Sequence, residues 1–446
     1  MVNYTDRFLD YISSINYEEI PSSTHKMLRI CLADTISVMI AGSVELRKKN
    51  QLLIHLMDDG ARCIKPIGMD EETSLACAIL VNGLNAHYLE LDDGIRYGVI
   101  HPSAPLFSAL IPVAIVKDVP WKRFVLGAIC GYETSIRLAK AMQPSHYSAG
   151  FHPTATCCTI GVAVGLAVML DYDKREMKDA FSAAAVSAYG TLKVIEDVSQ
   201  LKPYNCGRAA LLGYYACMMA KAGYGGPNDV LSGDTGFFSM MCKSFDEIKL
   251  FEKGRGFEIG NIYLKPYASC RHTHPEIEAA LAIRKNKEFS VDKIKAINVT
   301  TYKGVIGKHD GKDIYEENSA RMSIPYCIAA ALYTGKADVE VFSNKYVKNP
   351  QILHLIDLCV IEGNEELTKL VPDKRVAILK IEMIDGHVFE HRVDYPKGEP
   401  ENPMSEDELK EKFISMTSHA GFDNDKSTFL YEMIMTEDVV DFKKFV

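Results

Sequence analysis

Between residues 104 and 190 the chain carries helix-forming stretches that are apolar nearly all the way round and rich in Ala and Gly, such as LGAICG, GVAVG and SAAAVSAYG. A helix without a polar face must be enclosed by other helices or lie under a partner subunit. Small residues let helix axes approach closely. The chain is therefore restricted to a large helical bundle. Gly161 and Gly165 have GxxxG spacing, but the longest apolar stretches, Ala104 to Val116 and Cys158 to Leu170, fall short of the ~20 residues of a membrane span. The spacing is read as helix packing, and no membrane partner is expected.

Weaker signals extend the bundle. Pro21-Ser22-Ser23 opens a segment with apolar residues at Met27, Ile30, Cys31, Leu32, Ile36 and Met39, closing at Gly42. Helices are predicted over Glu72 to Leu89, Pro105 to Val116, Pro120 to Met142, Thr156 to Leu170 and Arg175 to Lys193. After about residue 260 the pattern changes. Lys293 to Tyr302 is rich in β-branched residues, and Val376 to Ile384 and His387 to Tyr395 flank Asp385-Gly386 as a hairpin. Helices are predicted at Glu276 to Lys285 and Ser323 to Thr334, and Ser405-x-x-Glu408 is a capping box opening a tail helix. At 446 residues the chain is too long for one core. The prediction is a mainly α protein. A large all-helical domain, residues 1–264 completed by 397–446, carries a smaller α+β lid domain, residues 265–396, inserted before the C-terminal helical tail.

The formal charge of -9, from 50 Lys and Arg against 59 acids without segregation, argues against nucleic-acid binding. Such a chain binds an anion by gathering a few cations in one pocket, so Lys, Arg and His near Gly and Ser are the residues to search. Twelve cysteines include no CxxC pair, and adjacent Cys157 and Cys158 cannot form an unstrained bridge on a helix. Reduced thiols in a cytoplasmic protein are expected. The N-terminal stretch MVNYTDRFLDYISSINYEEI lacks the basic and apolar regions of a signal peptide.

Five polar clusters interrupt the apolar pattern. HYLELDDGIRYGVIHPSAP supplies Glu90, Asp92, Asp93, Arg96 and His101; a solvated loop is the plain reading, but His101 directly precedes a core helix, and a carboxylate beside an imidazole tunes proton transfer. The second runs from Tyr147 to Thr154 and places His152 at a helix mouth that favours an anion, unless the ring merely packs there. In the third, Lys202-Pro203-Tyr204-Asn205-Cys206-Gly207-Arg208, two cations stand at another helix start, where surface charge is equally ordinary. The fourth, Lys265 to Pro275, contains Cys270-x-His272-x-His274. This spacing invites zinc but lacks a fourth ligand, so Arg271 and His274 are read as anion contact and proton-transfer group. Tyr326, in an apolar helix, reads by itself as a core tyrosine. No GxGxxG after a strand, GxxxxGK[ST] or GxSxG is present, and the cysteine spacing matches no iron–sulfur ligand set.

Taken in order, LADTISVMIAG, NGLNAHYLELDDG…HPS, GFHPTAT, KPYNCGRAA and KPYASCRHTHPEIEAAL resemble the MmgE/PrpD family, which includes 2-methylcitrate dehydratase, cis-aconitate decarboxylase and iminodisuccinate epimerase. The resemblance implies a large helical domain with a smaller lid, a homodimer, no metal or organic cofactor, and a small polycarboxylate substrate. It places Asp92, Asp93, His101, His152, Lys202, His274 and Tyr326 around that substrate. Glu90 stands where cis-aconitate decarboxylases have Asp, and Gly94 replaces a hydroxyl-bearing residue. The LDDG-x-R form is more like the dehydratase and epimerase branches.

The implied chemistry is that of a cofactor-independent lyase, 2-methylcitrate dehydratase-like, acting next to a carboxylate. Arg96, Lys202 and Arg271 hold carboxylates together with the helix starts after His152 and Lys202, with Glu90, Arg208 and Tyr326 as further substrate contacts. One of His101, His274 or Tyr147 takes the proton alpha to a carboxylate, in a catalytic set completed by Lys202, Asp92 and Asp93. Epimerisation of an iminodisuccinate-like acid and cis-aconitate-type decarboxylation are the alternatives within enzymes. A catalytically inactive carboxylate-binding homologue is the alternative outside them.

Overall fold

The computed structural model describes residues 3–195, 199–252 and 256–446. Helix Pro153–Met169 lies at the centre of the bundle, buried over almost its whole length, between Trp121–Met142 and Lys202–Lys221. A Cβ on Gly161 would meet the Gly131 carbonyl at 2.7 Å, so the GxxxG spacing serves contact between helices of this chain. The predicted helix over 72–89 becomes Leu75–Tyr88, because the Ser74 hydroxyl accepts from the Cys77 N–H and caps it. The segment predicted to run to Lys193 leaves α-helical geometry after Ser187, where Ala188 turns extended.

Helix Ser22–Glu45 is longer than its sequence signal and is long and apolar enough to cross a membrane by length and composition. Yet 78% of its most apolar window is buried inside the protein. The two tail helices, Glu406–His419 and Asn424–Thr436, pack against it. Phe413, Leu430 and Ile434 join the bundle core from the tail, and the Lys412 ammonium reaches buried Asp34 at 2.5 Å. Ser405 and Glu408 form the reciprocal capping box that the sequence implies.

The second unit is built on a mixed sheet with strands β1 (Ile294–Tyr302), β2 (Cys359–Asn364), β3 (Ala377–Met383) and β4 (Val388–Val393). The order is β2-β1-β3-β4, with β1 and β2 parallel and the other pairs antiparallel. Strand β2 escapes sequence reading because CVIEGN is short and lies at the sheet edge, with little apolar alternation. Helices His274–Arg284 and Ile324–Thr334 supply Ile277, Ala280 and Ile328 to a core shared with Ile297, Val299, Leu379 and Ile381. Val38, Ala41, Leu89 and Leu91 of the helical part belong to the same core, which fixes the sheet unit on the bundle.

Candidate active site

Helix Leu75–Tyr88 ends one residue after His87, and the chain then turns through Glu90 with φ 54°. A non-glycine residue in the left-handed region persists only when its surroundings hold it. Here the Lys265 ammonium donates to the Glu90 carbonyl at 2.9 Å. A second such residue, Val99 with φ 51°, precedes His101, and the Ile95 N–H donates to the Ile100 carbonyl at 2.9 Å across the loop. Lys202 is the first residue of helix Lys202–Lys221. That helix meets Leu75–Tyr88 at Gly83 and Gly207, where a Cβ on Gly207 would stand 2.6 Å from the Leu80 carbonyl oxygen. The glycine contact thus sets how near His87 and Lys202 come.

These segments place three imidazoles, two carboxylates and two ammonium groups together. Asp92 lies 2.6 Å from His87 Nδ1, 3.7 Å from His101 Nδ1 and 3.8 Å from Lys265 Nζ. Glu90 lies 2.5 Å from Lys202 Nζ and 3.6 Å from Lys265 Nζ. The His87 ring centroid is 5.0 Å from that of His101 and 6.4 Å from that of His152. His101 Nδ1 stands 2.5 Å from the Asp93 carbonyl oxygen, so the ring proton sits on Nδ1 and the lone pair on Nε2. Asn205 donates to His152 Nδ1 at 3.0 Å, which puts the proton of that ring on Nε2. His87 Nε2, Glu90 Oε2 and Asp92 Oδ1 are buried without a hydrogen-bond partner. Glu90 Oε2 and Asp92 Oδ1 instead face the Lys265 ammonium at 3.6 and 3.8 Å, and His87 Nε2 faces Glu90 Oε1 at 3.9 Å, so opposite charge rather than hydrogen bonding offsets their burial.

Burial works against every charge here, and the pairing outweighs it for the acids. Burial would raise the Glu90 carboxyl, but Lys202, His87 and Lys265 hold it well below the usual range. Asp92 is likewise pushed up by burial and brought down further by His87, His101 and Lys265. Burial lowers His101 to about 3 despite the opposing pull of Asp92, and holds His152 well below its ordinary value. Both rings are thereby held in the neutral form.

The sheet unit contributes a second group of polar side chains. A cleft of about 1260 Å³ is lined by Tyr147, His272, Tyr302, His309 and Arg375, among others. His272 stacks on His309 at 5.0 Å, and its Nδ1 is in short contact with the Tyr302 hydroxyl. His309 Nδ1 donates to the Met322 carbonyl at 3.0 Å. Burial, then nearby cations including Lys202, keeps both rings below their ordinary values, His309 at about 4. A smaller cavity of about 170 Å³ opens on Glu90 and Lys202 and shares Lys308 with the larger cleft.

Of the residues singled out in the sequence, Glu90, Asp92, His101, His152 and Lys202 come together, and Tyr147 lines the cleft under the Lys308 ammonium. The others are engaged elsewhere. The Asp93 carboxylate turns into the core onto Ser103, where burial raises it to about 8; only its carbonyl serves the site. His274 is fully buried, with Nδ1 accepting from Arg271 and Nε2 donating to the Ser269 carbonyl, so it has no free lone pair. Arg271 is held by Glu399 at 2.9 Å and by the Pro396 and Lys397 carbonyls. Arg96 borders the cleft, but Glu399 and Glu401 occupy its guanidinium. Arg208 donates to the Tyr189 carbonyl, and the Tyr326 hydroxyl donates to the Val341 carbonyl inside the sheet unit.

Sequence reading assigned no role to His87, Lys265, His309 and Arg375, and weighed His272 only as a zinc ligand. A signal for Lys265 existed, since Lys-Pro-Tyr occurs at both 202 and 265. His272 and His274 flank Thr273 where a short 3₁₀ turn meets a helix, and they face different surroundings, one the cleft and the other Arg271. Cys270, His272 and His274 therefore do not converge as metal ligands. Among the described residues His87, Asp92 and Cys206 bring donor atoms within 4.8 Å of one another. The first two are already hydrogen-bonded, and burial holds the Cys206 thiol well above its ordinary value, which suits a protonated thiol beside a hydrogen-bonded pair.

Comparison with known proteins agrees with this architecture. Residues 6–247 match the MmgE/PrpD N-terminal domain and residues 267–431 the MmgE/PrpD C-terminal domain. A cis-aconitate decarboxylase-like protein, oryM, of Aspergillus oryzae is 24% identical over 93% of this chain and 91% of its own length. The cis-aconitate decarboxylases of Mus musculus and Homo sapiens are 25% and 24% identical, each over 76% of this chain and 71% and 72% of their own. With both domain models matched in order along a helical bundle and its sheet unit, the chain belongs to the MmgE/PrpD family of enzymes acting on small carboxylic acids.

Proposed function

We propose that the protein is a cofactor-independent hydro-lyase, 2-methylcitrate dehydratase-like, that removes water across the bond next to a carboxylate of a small di- or tricarboxylic acid. The observation that carries this reading is His101: a neutral imidazole with its proton fixed on Nδ1, 3.7 Å from Asp92 and 5.0 Å ring to ring from His87, in the cluster where Glu90 holds Lys202. Lys202 binds a substrate carboxylate and stabilises the enolate-like charge that grows on it. His101 Nε2 takes the alpha proton, the electron pair of that C–H bond forms the alkene, and the beta C–O bond breaks. The departing hydroxyl leaves as water with the proton that His101 has taken, which returns that imidazole to its neutral form, while His87, held at Nδ1 by Asp92, stands 5.0 Å away ring to ring. The basicity of His101 rises when a polyanion enters, because added negative charge favours the imidazolium. In this reading residues 1–264 with 397–446 form the catalytic body and 265–396 the lid, and the active protein is a homodimer.

Decarboxylation, suggested by the names of the relatives, has less support at Gly94. A Cβ there would stand 2.5 Å from Cζ of Tyr263, so the hydroxyl-bearing residue of the decarboxylase pattern would require the Tyr263 ring to move. The test is turnover of 2-methylcitrate, citrate, cis-aconitate and iminodisuccinate followed by NMR in D₂O. Loss of water with formation of an alkene is expected. Release of CO₂, or inversion with alpha-deuterium uptake and no alkene, would replace the dehydratase, and binding without turnover of any acid would leave a carboxylate-binding protein.

A further inference from the structure

Arg375 stands out among the buried cations. Lys202 is paired with Glu90, Lys412 with Asp34, Arg137 with Glu133, Lys140 with Glu258 and Arg271 with Glu399. Among the described residues no carboxylate comes within 4.0 Å of Arg375, although it is 5% exposed. Glu399, whose charge acts on it, is already bound to Arg96 and Arg271 at 2.9 Å each. Its Nε is buried without an acceptor, and Nη2 has one long contact, 3.5 Å to the Arg96 carbonyl. A guanidinium stays charged and carries five donors, so leaving it buried with most of them unmatched is costly unless an anion arrives.

Its surroundings fit that anion. Arg375 lines the large cleft with His272, Tyr302, His309 and Tyr147; of the acids in the same lining, Glu252 and Glu258 are bound to Lys140 and Asp373 is exposed. The large cleft and the smaller cavity that opens on Glu90 and Lys202 share Lys308, which connects this wall with the cluster around Glu90. Among the described residues Lys308, like Arg375, has no carboxylate within 4.0 Å, so two such cations face this space.

We propose that Arg375 is a second carboxylate anchor, carried by the sheet unit, so that the ligand is an acid with at least two carboxylates, one on Lys202 and the other bidentate on the Arg375 guanidinium. This rests on the lyase reading for the Lys202 end. A ligand held at both ends also ties the sheet unit to the bundle over the reacting carbons, which excludes water. Arg suits the task better than Lys because its planar fork matches both carboxylate oxygens.

The experiment is calorimetric binding of tricarballylate and of butyrate to the full chain as wild type, Arg375→Gln, Arg375→Lys and Lys202→Gln. The wild type is expected to bind tricarballylate more tightly, Arg375→Gln to lose about 10- to 100-fold for tricarballylate and nothing for butyrate, and Arg375→Lys to fall between. Equal loss for both acids, or unchanged tricarballylate affinity in Arg375→Gln, overturns the anchor. If Arg375→Gln does not fold, Arg375→Lys decides: wild-type affinity for tricarballylate overturns the anchor, and a selective loss supports it. A defect in Lys202→Gln alone leaves the lyase reading standing without the anchor, whereas a wild type that binds neither acid overturns both.

Discussion

His101 and Asp93 are joined through an atom that their side-chain chemistry does not involve: the imidazole Nδ1 lies 2.5 Å from the Asp93 main-chain oxygen. The carboxylate of the same aspartate points away onto Ser103. The carbonyl fixes the tautomer and leaves the lone pair on Nε2.

His101→Asn is expected to lower kcat by about 10²- to 10⁴-fold with little change in thermal stability. The acid limb of kcat/KM is informative as well. The free enzyme holds His101 at about 3, so this group is deprotonated and competent well below pH 6.5. Activity limited by His101 should persist to about pH 5, and a limb near 6.5 would exclude it as the base. The folded pKa is depressed, so the unfolded chain binds the proton first, and stability from this group declines as pH falls from 6.5 toward 3.

Lys202→Ala is expected to raise KM by at least about 10-fold or abolish turnover, and Glu90→Gln to destabilise the protein by about 3 kcal/mol, because each change leaves a buried partner uncompensated. Glu90 is depressed in the folded state, so its stabilisation is present above pH 4.5 and lost as pH falls further. Denaturant titrations of wild type and Glu90→Gln should converge toward acid pH. A constant gap would show that the pair is not what stabilises the turn.

Glu276 lies fully buried with neither oxygen hydrogen-bonded, and burial raises it to about 8. Its pKa is raised on folding, so its favourable contribution is complete below 4.5 and is lost as pH rises through 8. Glu276→Gln should match the wild type near pH 5 and exceed it above pH 8, by about 1–3 kcal/mol. Melting curves at pH 5, 7 and 9 would reveal it, and parallel curves would refute it.

Gly83→Ala should push apart the helices that carry His87 and Lys202, because its Cβ would fall 2.7 Å from the Gly207 amide nitrogen. A loss of about 1–3 kcal/mol is expected. KM should rise with it, since the separation of the two groups changes; a stability loss with unaltered kinetics would detach the glycine contact from the site.

Much of the architecture is written locally. The apolar Ala- and Gly-rich segments define the bundle, Ser405 and Glu408 cap a tail helix, and Asp385-Gly386 joins two strands, because helix period, caps and turns depend on neighbours a few residues away. Glu90, Asp92, His101, His152 and Lys202 could be picked out for the same reason, as polar groups at the ends of apolar helices. What local sequence does not contain is the partner of each charge. Arg271 looks like an anion contact until Glu399, 128 residues away, binds it, whereas Arg375 attracts no notice until the fold leaves it without a carboxylate. His272 and His274 are equivalent in the sequence, and only the packing of a short turn turns one to the cleft and the other to Arg271. Sequence determined the elements and the stock of reactive groups. The tertiary structure decided which of them stay available, because an ion pair is set by distance in space and not along the chain.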